Sequence, residues 1–331
     1  MSHRELATDT TMELEPDPLL AALEAELVGP NVVAIGGGHG LAQALMAIRR
    51  YAGTVQAIVT VADDGGSSGR LAPGLDIPPP GDIRQCLIAL TPDTSVWRQL
   101  FDYRFEGSDV AGHSLGNLII AALTDIEGSF EDALRQAEIL LRSVGSVIPA
   151  AQQRLHLEAV VDGAPVSGQV AIARSRGPIT ELFATPRQAS ATPRAVEAIQ
   201  EAEQIVLGPG SLYTSVMAAL VVPGIVEAIN ESGAKLIYVS NLITQDGETL
   251  DMDGADHLEA LLGLTGVRSP SAIVANDAAI DIAPPLAAIE VDAEAIATYG
   301  VDVVMANLVD PEAPWPSHHP ATLGDVLARL T

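Results

Sequence analysis

The chain has 331 residues, 48% hydrophobic and 3% aromatic, with a formal net charge of −26. This length suits one large α/β domain or two modest ones. The charge, with no basic run longer than Arg49-Arg50, argues against a general nucleic-acid binder or a partner of acidic membranes. One cysteine, Cys86, excludes an internal disulfide and a cysteine zinc cluster. The apolar run Leu118–Leu123 is too short to span a bilayer, and the acidic N-terminus lacks a signal pattern. A soluble, cytoplasmic protein is expected.

Residues 1–30 read as an acidic tail with a short leading helix, roughly Leu19–Leu27, and 31–331 as a single domain. The first strand is Asn31–Ile35, followed by a glycine turn and a helix with Leu41, Leu45 and Ile48 on one face. Val55–Val61 is unbroken and apolar, as befits a strand covered on both faces. Asp82 and Ser114 are positioned to cap two helices, the second through Leu123, and Phe130–Val144 reads as a helix ended by Gly145. Arg154–Val161 alternates, turns at Asp162-Gly163 and returns through Val166–Arg174, an antiparallel hairpin insertion near 154–174. Thr192-Pro193 opens a helix leading to strand Gln204–Leu207, a second glycine turn and another helix. Strands follow at Lys235–Val239, Ala272–Ala275 and Val301–Met305, with helices at Asp256–Leu264, Asp292–Tyr299 and a last one capped by Thr322. The alternation predicts a Rossmann-like three-layer α/β/α fold with a mainly parallel sheet.

Polar motifs cluster where strands end. Gly36-Gly37-Gly38-His39-Gly40 lets backbone approach a phosphate and opens a helix, whose N-terminus favours anions. It is neither a full dinucleotide fingerprint nor a Walker loop. Asp63 and Asp64 end the second strand. Such acids suit ribose hydroxyls, or a magnesium ion shared with phosphate and joined by Asp82; one of them could equally cap the loop. Ser67, Ser68 and Arg70 follow in a glycine–serine loop, then Gly81, Asp82 and Arg84 at a helix start. His113, Ser114 and Asn117 open an otherwise apolar helix. Gly208, Pro209, Gly210, Ser211 and Thr214 form the second glycine turn, and Asn241, Thr244 and Gln245 follow the next strand. In a parallel sheet the carboxyl ends of strands share one edge, where ligands bind. A nucleotide-type ligand is expected there.

The blocks GGGHG, VTVADDGGSSGRL, PPPGDIRQCLIAL, YRF, GHSLGNLIIAAL, LGPGSLYTSV and NLITQDGETLDMDGADH, in this order, resemble the YvcK-type gluconeogenesis factors of the CofD-like superfamily. The resemblance runs from about Asn31 to Leu330. It implies a Rossmann-like fold, binding of UDP-sugars or related nucleotides, and a role in growth on gluconeogenic carbon, cell shape and wall synthesis. No enzyme activity is implied for this branch; its CofD relatives are transferases acting on a phospholactyl group. The chain departs from the family at His39, usually threonine, and in DAAIDIAPPLAAIEV after Asn276, which is shorter than usual. Expected partners are a nucleotide or UDP-sugar, a protein of cell-wall regulation and a second copy of the chain. A metal-assisted transferase is the alternative.

Overall fold

The computed structural model describes residues 29–62, 64–65, 77–107 and 110–331. Asp63, Ser67, Ser68, Arg70 and the expected helix at Leu19–Leu27 lie outside them.

Valine, isoleucine and alanine runs form the sheet. In chain order the central strands are β1 (Asn31–Gly36), β2 (Thr54–Val59) and β3 (Ser146–Pro149). Between them lie α1 (Gly38–Ile48), α2 (Gly81–Leu90), α3 (Val96–Asp102), α4 (Leu115–Glu127) and α5 (Phe130–Leu141). An insertion follows: β4 (His156–Val161), β5 (Ala164–Ser167), α6 (Gln169–Ala173) and β6 (Ile179–Thr185). The chain re-enters the sheet through α7 (Pro193–Glu201) and β7 (Gln204–Leu207). A π-helical turn, Leu212–Met217, runs into α8 (Ala218–Leu220), then α9 (Ile225–Glu231) and β8 (Lys235–Val239). The remainder is α10 (Gly254–Thr265), β9 (Ala272–Asn276), α11 (Ala293–Ala297), β10 (Asp302–Ala306) and α12 (Pro320–Ala328).

Seven strands pair in parallel in the order β10-β9-β8-β7-β1-β2-β3. From β1 the chain moves to β2 on one side; from β7 it moves to β8 on the other. Right-handed crossovers therefore send the two following helices to opposite faces and open a crevice above β1 and β7. Helix α1 packs with α2 and α12, and α7 packs with α9. Central strands bury both faces: Val32 to Ile35 and Ile205 to Leu207 are wholly inaccessible. Among the described residues no single helix is long and apolar enough to cross a membrane.

The α/β architecture matches the sequence expectation; several local details do not. The insertion is a three-stranded antiparallel sheet, β5-β4-β6, rather than one hairpin. Gly168, at φ 95°, breaks the expected returning strand, and α6 occupies its second half. Helix α2 begins with Pro80 as N-cap and Asp82 in its first turn, so Asp82 does not cap it. Helix α5 ends at Arg142, which itself adopts the left-handed conformation. Gly145 instead lies where a Cβ would be 2.5 Å from the Val55 carbonyl oxygen. His319, not Thr322, caps α12, accepting from the Thr322 N–H.

Candidate functional site

The turn after β1 is built on absent side chains. Gly38 has φ 65°, and a Cβ on Gly37 would lie 2.6 Å from Asp82 Oδ2 and 2.8 Å from Thr60 Cγ2. Gly37 is the N-cap of α1 and provides no side-chain cap. The first N–H groups of an α-helix have no intrahelical acceptor, and the Asp82 carboxylate lies beside this terminus. A Cβ on Gly40 would meet the Pro209 carbonyl oxygen at 2.1 Å. The two glycine turns are thus in direct contact, although Gly40 and Pro209 are 169 residues apart in sequence. Gly36, at φ 153°, lets the chain leave β1 toward this junction.

The second turn is gripped by the segment after β8. Asn241 donates from Nδ2 to the Gly210 carbonyl at 2.7 Å and accepts the Gly210 N–H on Oδ1 at 2.8 Å. Gln245 donates to Ser211 Oγ at 3.1 Å; its own Oε1 is buried without a partner among the described residues. Glu248, which the sequence reading missed, accepts the Tyr213 N–H at 3.1 Å and the Thr214 hydroxyl. Burial raises the Glu248 carboxyl above its ordinary range, although the Thr214 and Tyr213 hydrogen bonds act the other way. The π-helical start is thereby filled by an internal carboxylate, and the Asp82 carboxylate lies beside Gly37 and Gly38 at the start of α1.

Gly208 takes part in the same junction: its N–H donates to the Ile35 carbonyl at 3.0 Å, extending the β1–β7 ladder. Thr244 closes another loop, its N–H donating to the Ala287 carbonyl and its Oγ1 accepting the Ala287 N–H at 3.0 Å.

Asp64, Gly81, Arg84, His113, Ser114 and Asn117, also predicted, are not among the residues lining the cavity over this junction. Asp64 Oδ1 accepts the Val170 N–H at 3.0 Å, and a Cβ on Gly168 would lie 2.5 Å from its Oδ2. Asp64 thus ties the end of β2 to α6 of the insertion, where Gln169 donates to the Thr214 carbonyl at 2.8 Å. Gly81 starts α2. Arg84 is 4% exposed; its Nη1 donates to the Phe101 carbonyl at 3.2 Å and to Asp102 at 2.9 Å. A Cβ on Gly116 would lie 2.9 Å from Arg84 Cδ. Arg84 therefore joins α2, α3 and the start of α4 internally. Ser114 caps α4, accepting the Asn117 N–H at 3.3 Å, and both residues are buried. The His113 carbonyl accepts the Phe105 N–H at 3.0 Å. Among the described residues no three His, Cys, Asp or Glu side chains are grouped to hold a metal.

A cavity of about 620 Å³ opens over the junction. His39, Gly40, Pro209, Gly210, Asn241, Thr244 and Gln245, all predicted, line it. Leu286 and the segment Trp315–His318 also line it and were not predicted. That segment follows β10 and is folded back by a bridge between Val309 and His318. His318 is 5% exposed and its Nε2 is 3.1 Å from the Ser240 carbonyl, so that nitrogen carries the proton. Burial lowers its pKa to about 4. A second cavity, about 680 Å³, lies between α10 and the insertion and includes Tyr213 and Glu248.

A family profile described as 2-phospho-L-lactate transferase CofD matches residues 32–309. The gluconeogenesis factor of Halalkalibacterium halodurans is 45% identical over 239 residues, 72% of this chain and 74% of that protein. A putative gluconeogenesis factor of a Nostoc species is 40% identical over 315 residues, 91% of this chain and 68% of its own. A crystal structure of a UPF0052-family protein from Bacillus halodurans superposes with TM-score 0.86 and 37% identity, covering 90% of this chain and 98% of that one.

Proposed function

We propose, since this chain belongs to the CofD family, that it is a nucleotide- or UDP-sugar-binding regulator of the gluconeogenesis-factor type. The observation that carries this reading is the contact of the two glycine turns beneath one cavity at the β1–β7 crevice. A phosphate is received at the glycine-built start of α1, where backbone can approach closely. The regulator acts in growth on gluconeogenic carbon, and in cell shape and wall-precursor supply, through a protein partner. Its relatives named gluconeogenesis factor support the first of these roles.

A second reading is a transferase of a phosphorylated group from a nucleotide-linked donor, supported by the family's description. Asp63, Asp64 and Asp82 would then hold Mg²⁺, which would neutralise phosphate charge. One experiment separates the readings. The protein is mixed with UDP-N-acetylglucosamine, with and without magnesium, while calorimetry follows binding and chromatography follows nucleotide release. Binding without turnover across a panel of acceptors supports the regulator; turnover supports the transferase. No heat with any nucleotide overturns both.

A further inference from the structure

The residues lining the cavity over the junction come from both sides of β7. His39 and Gly40 follow β1, whereas Trp315 belongs to the segment that His318 anchors to Ser240 after β8, and β7 lies between those two strands. Trp315 is 55% exposed, although the chain has only two tryptophans and 3% aromatic residues. An indole held half in water at a cavity rim keeps a large apolar face available to a planar partner.

Its placement is rigid. Pro314 and Pro316 flank it, and Ser317 Oγ donates to the Trp315 carbonyl at 3.0 Å. The Asp310 N–H donates to the Ser317 carbonyl at 2.9 Å, and the His319 N–H to the Leu308 carbonyl at 2.7 Å. His318 anchors the same segment to Ser240 at the end of β8. An unneeded surface indole would not require such fixing; a stacking platform must be held before its ligand arrives.

We propose that Trp315 is the nucleobase platform of this site: a heteroaromatic base stacks on its indole while the phosphates lie toward His39 and Gly40. The inference rests on the nucleotide reading above and adds the ligand's direction in the cavity. It also gives Trp315 a part in selecting nucleotides over sugar phosphates, because stacking rewards a planar base and nothing else in the ligand.

The test uses the full chain carrying Trp97→Phe, so that Trp315 is the one indole. Titrants are UDP, uridine and ribose 5-phosphate, followed by both calorimetry and tryptophan fluorescence. Saturable fluorescence quenching is expected with UDP and, more weakly, uridine, and none with ribose 5-phosphate. Trp315→Ala should weaken UDP by about tenfold or more, equivalent to about 1.4 kcal/mol. Trp315→Phe should recover most of that loss, and neither variant should change the melting temperature without ligand. If UDP gives heat but no quenching, and Trp315→Ala binds it as before, the platform is wrong and the nucleotide reading stands. If UDP, uridine and every other nucleotide give no heat, both fall.

Discussion

At the scale of single residues, Gly40 tests the contact on which the site depends. A methyl group there would strike the Pro209 carbonyl, backbone against backbone, with no flexible side chain to give way. Gly40→Ala should destabilise the fold by about 1–3 kcal/mol, as overpacking does. Gly263, inside α10 with nothing near its missing Cβ, is the control; Gly263→Ala should stabilise by about 0.5–1 kcal/mol through helix propensity. Urea denaturation of both variants reads the contrast, and equal effects would mean that the turns do not touch. His318 gives a pH dependence. It stays neutral in the fold down to about pH 4, while an exposed histidine binds a proton near 6.5. The unfolded chain therefore holds more protons between these values, and stability falls as pH drops through that window. The loss from this residue reaches about 2 kcal/mol at pH 5. The raised carboxyl of Glu248 acts in the opposite direction, so the comparison must be between variants. His318→Gln, which keeps a donor for Ser240, should lose less stability than the parent between pH 7 and pH 5. An identical loss would show that His318 titrates normally.

At the scale of elements, the π-helical turn is the least expected piece. Ser215 and Val216 both direct their N–H groups to the Ser211 carbonyl at 3.0 Å. The start of this turn is held by Glu248, 34 residues from Thr214. Glu248→Ala removes the acceptor of a backbone N–H and of a buried hydroxyl, a cost of about 1–3 kcal/mol. Hydrogen exchange should quicken first at Tyr213 and Thr214; protection unchanged there would remove Glu248 from this role. No local sequence pattern announces such a turn, because its register is set by a distant carboxylate. The same distinction separates what was legible from what was not. Thr192-Pro193 declares its helix by local chemistry alone, and Thr192 does accept the Ala195 N–H. Lys235–Val239 was readable to the residue because an apolar run between turns has few alternatives. Asp82 looked like a cap, yet its position is decided by Gly37 packing across the crevice. Strand β3, with only four residues, gave no periodicity to read. Trp315 sat in a stretch of prolines and histidines whose meaning comes from the Val309–His318 bridge after β10 and from the anchor at Ser240. The glycine turns were visible because absent side chains are written in the sequence; the part played by Trp315–His318 was not.

At the scale of the whole molecule, the net charge of −26 opposes any anionic ligand at long range. Screening confines that repulsion to about 8 Å at physiological salt, so binding depends on groups within the crevice. Backbone N–H groups at α1 supply an attraction without altering the global field. Affinity for a nucleotide should therefore vary little with moderate salt. Thermal unfolding in the presence of UDP-N-acetylglucosamine, UDP, N-acetylglucosamine and sulfate, each over a wide concentration range, decides whether the crevice is a nucleotide site. The two uridine nucleotides should raise the melting temperature saturably, adding about 2.7 kcal/mol at a hundred times the dissociation constant, while free sugar and sulfate should not. Equal stabilisation by sulfate, or none by either nucleotide, would contradict a nucleotide site there.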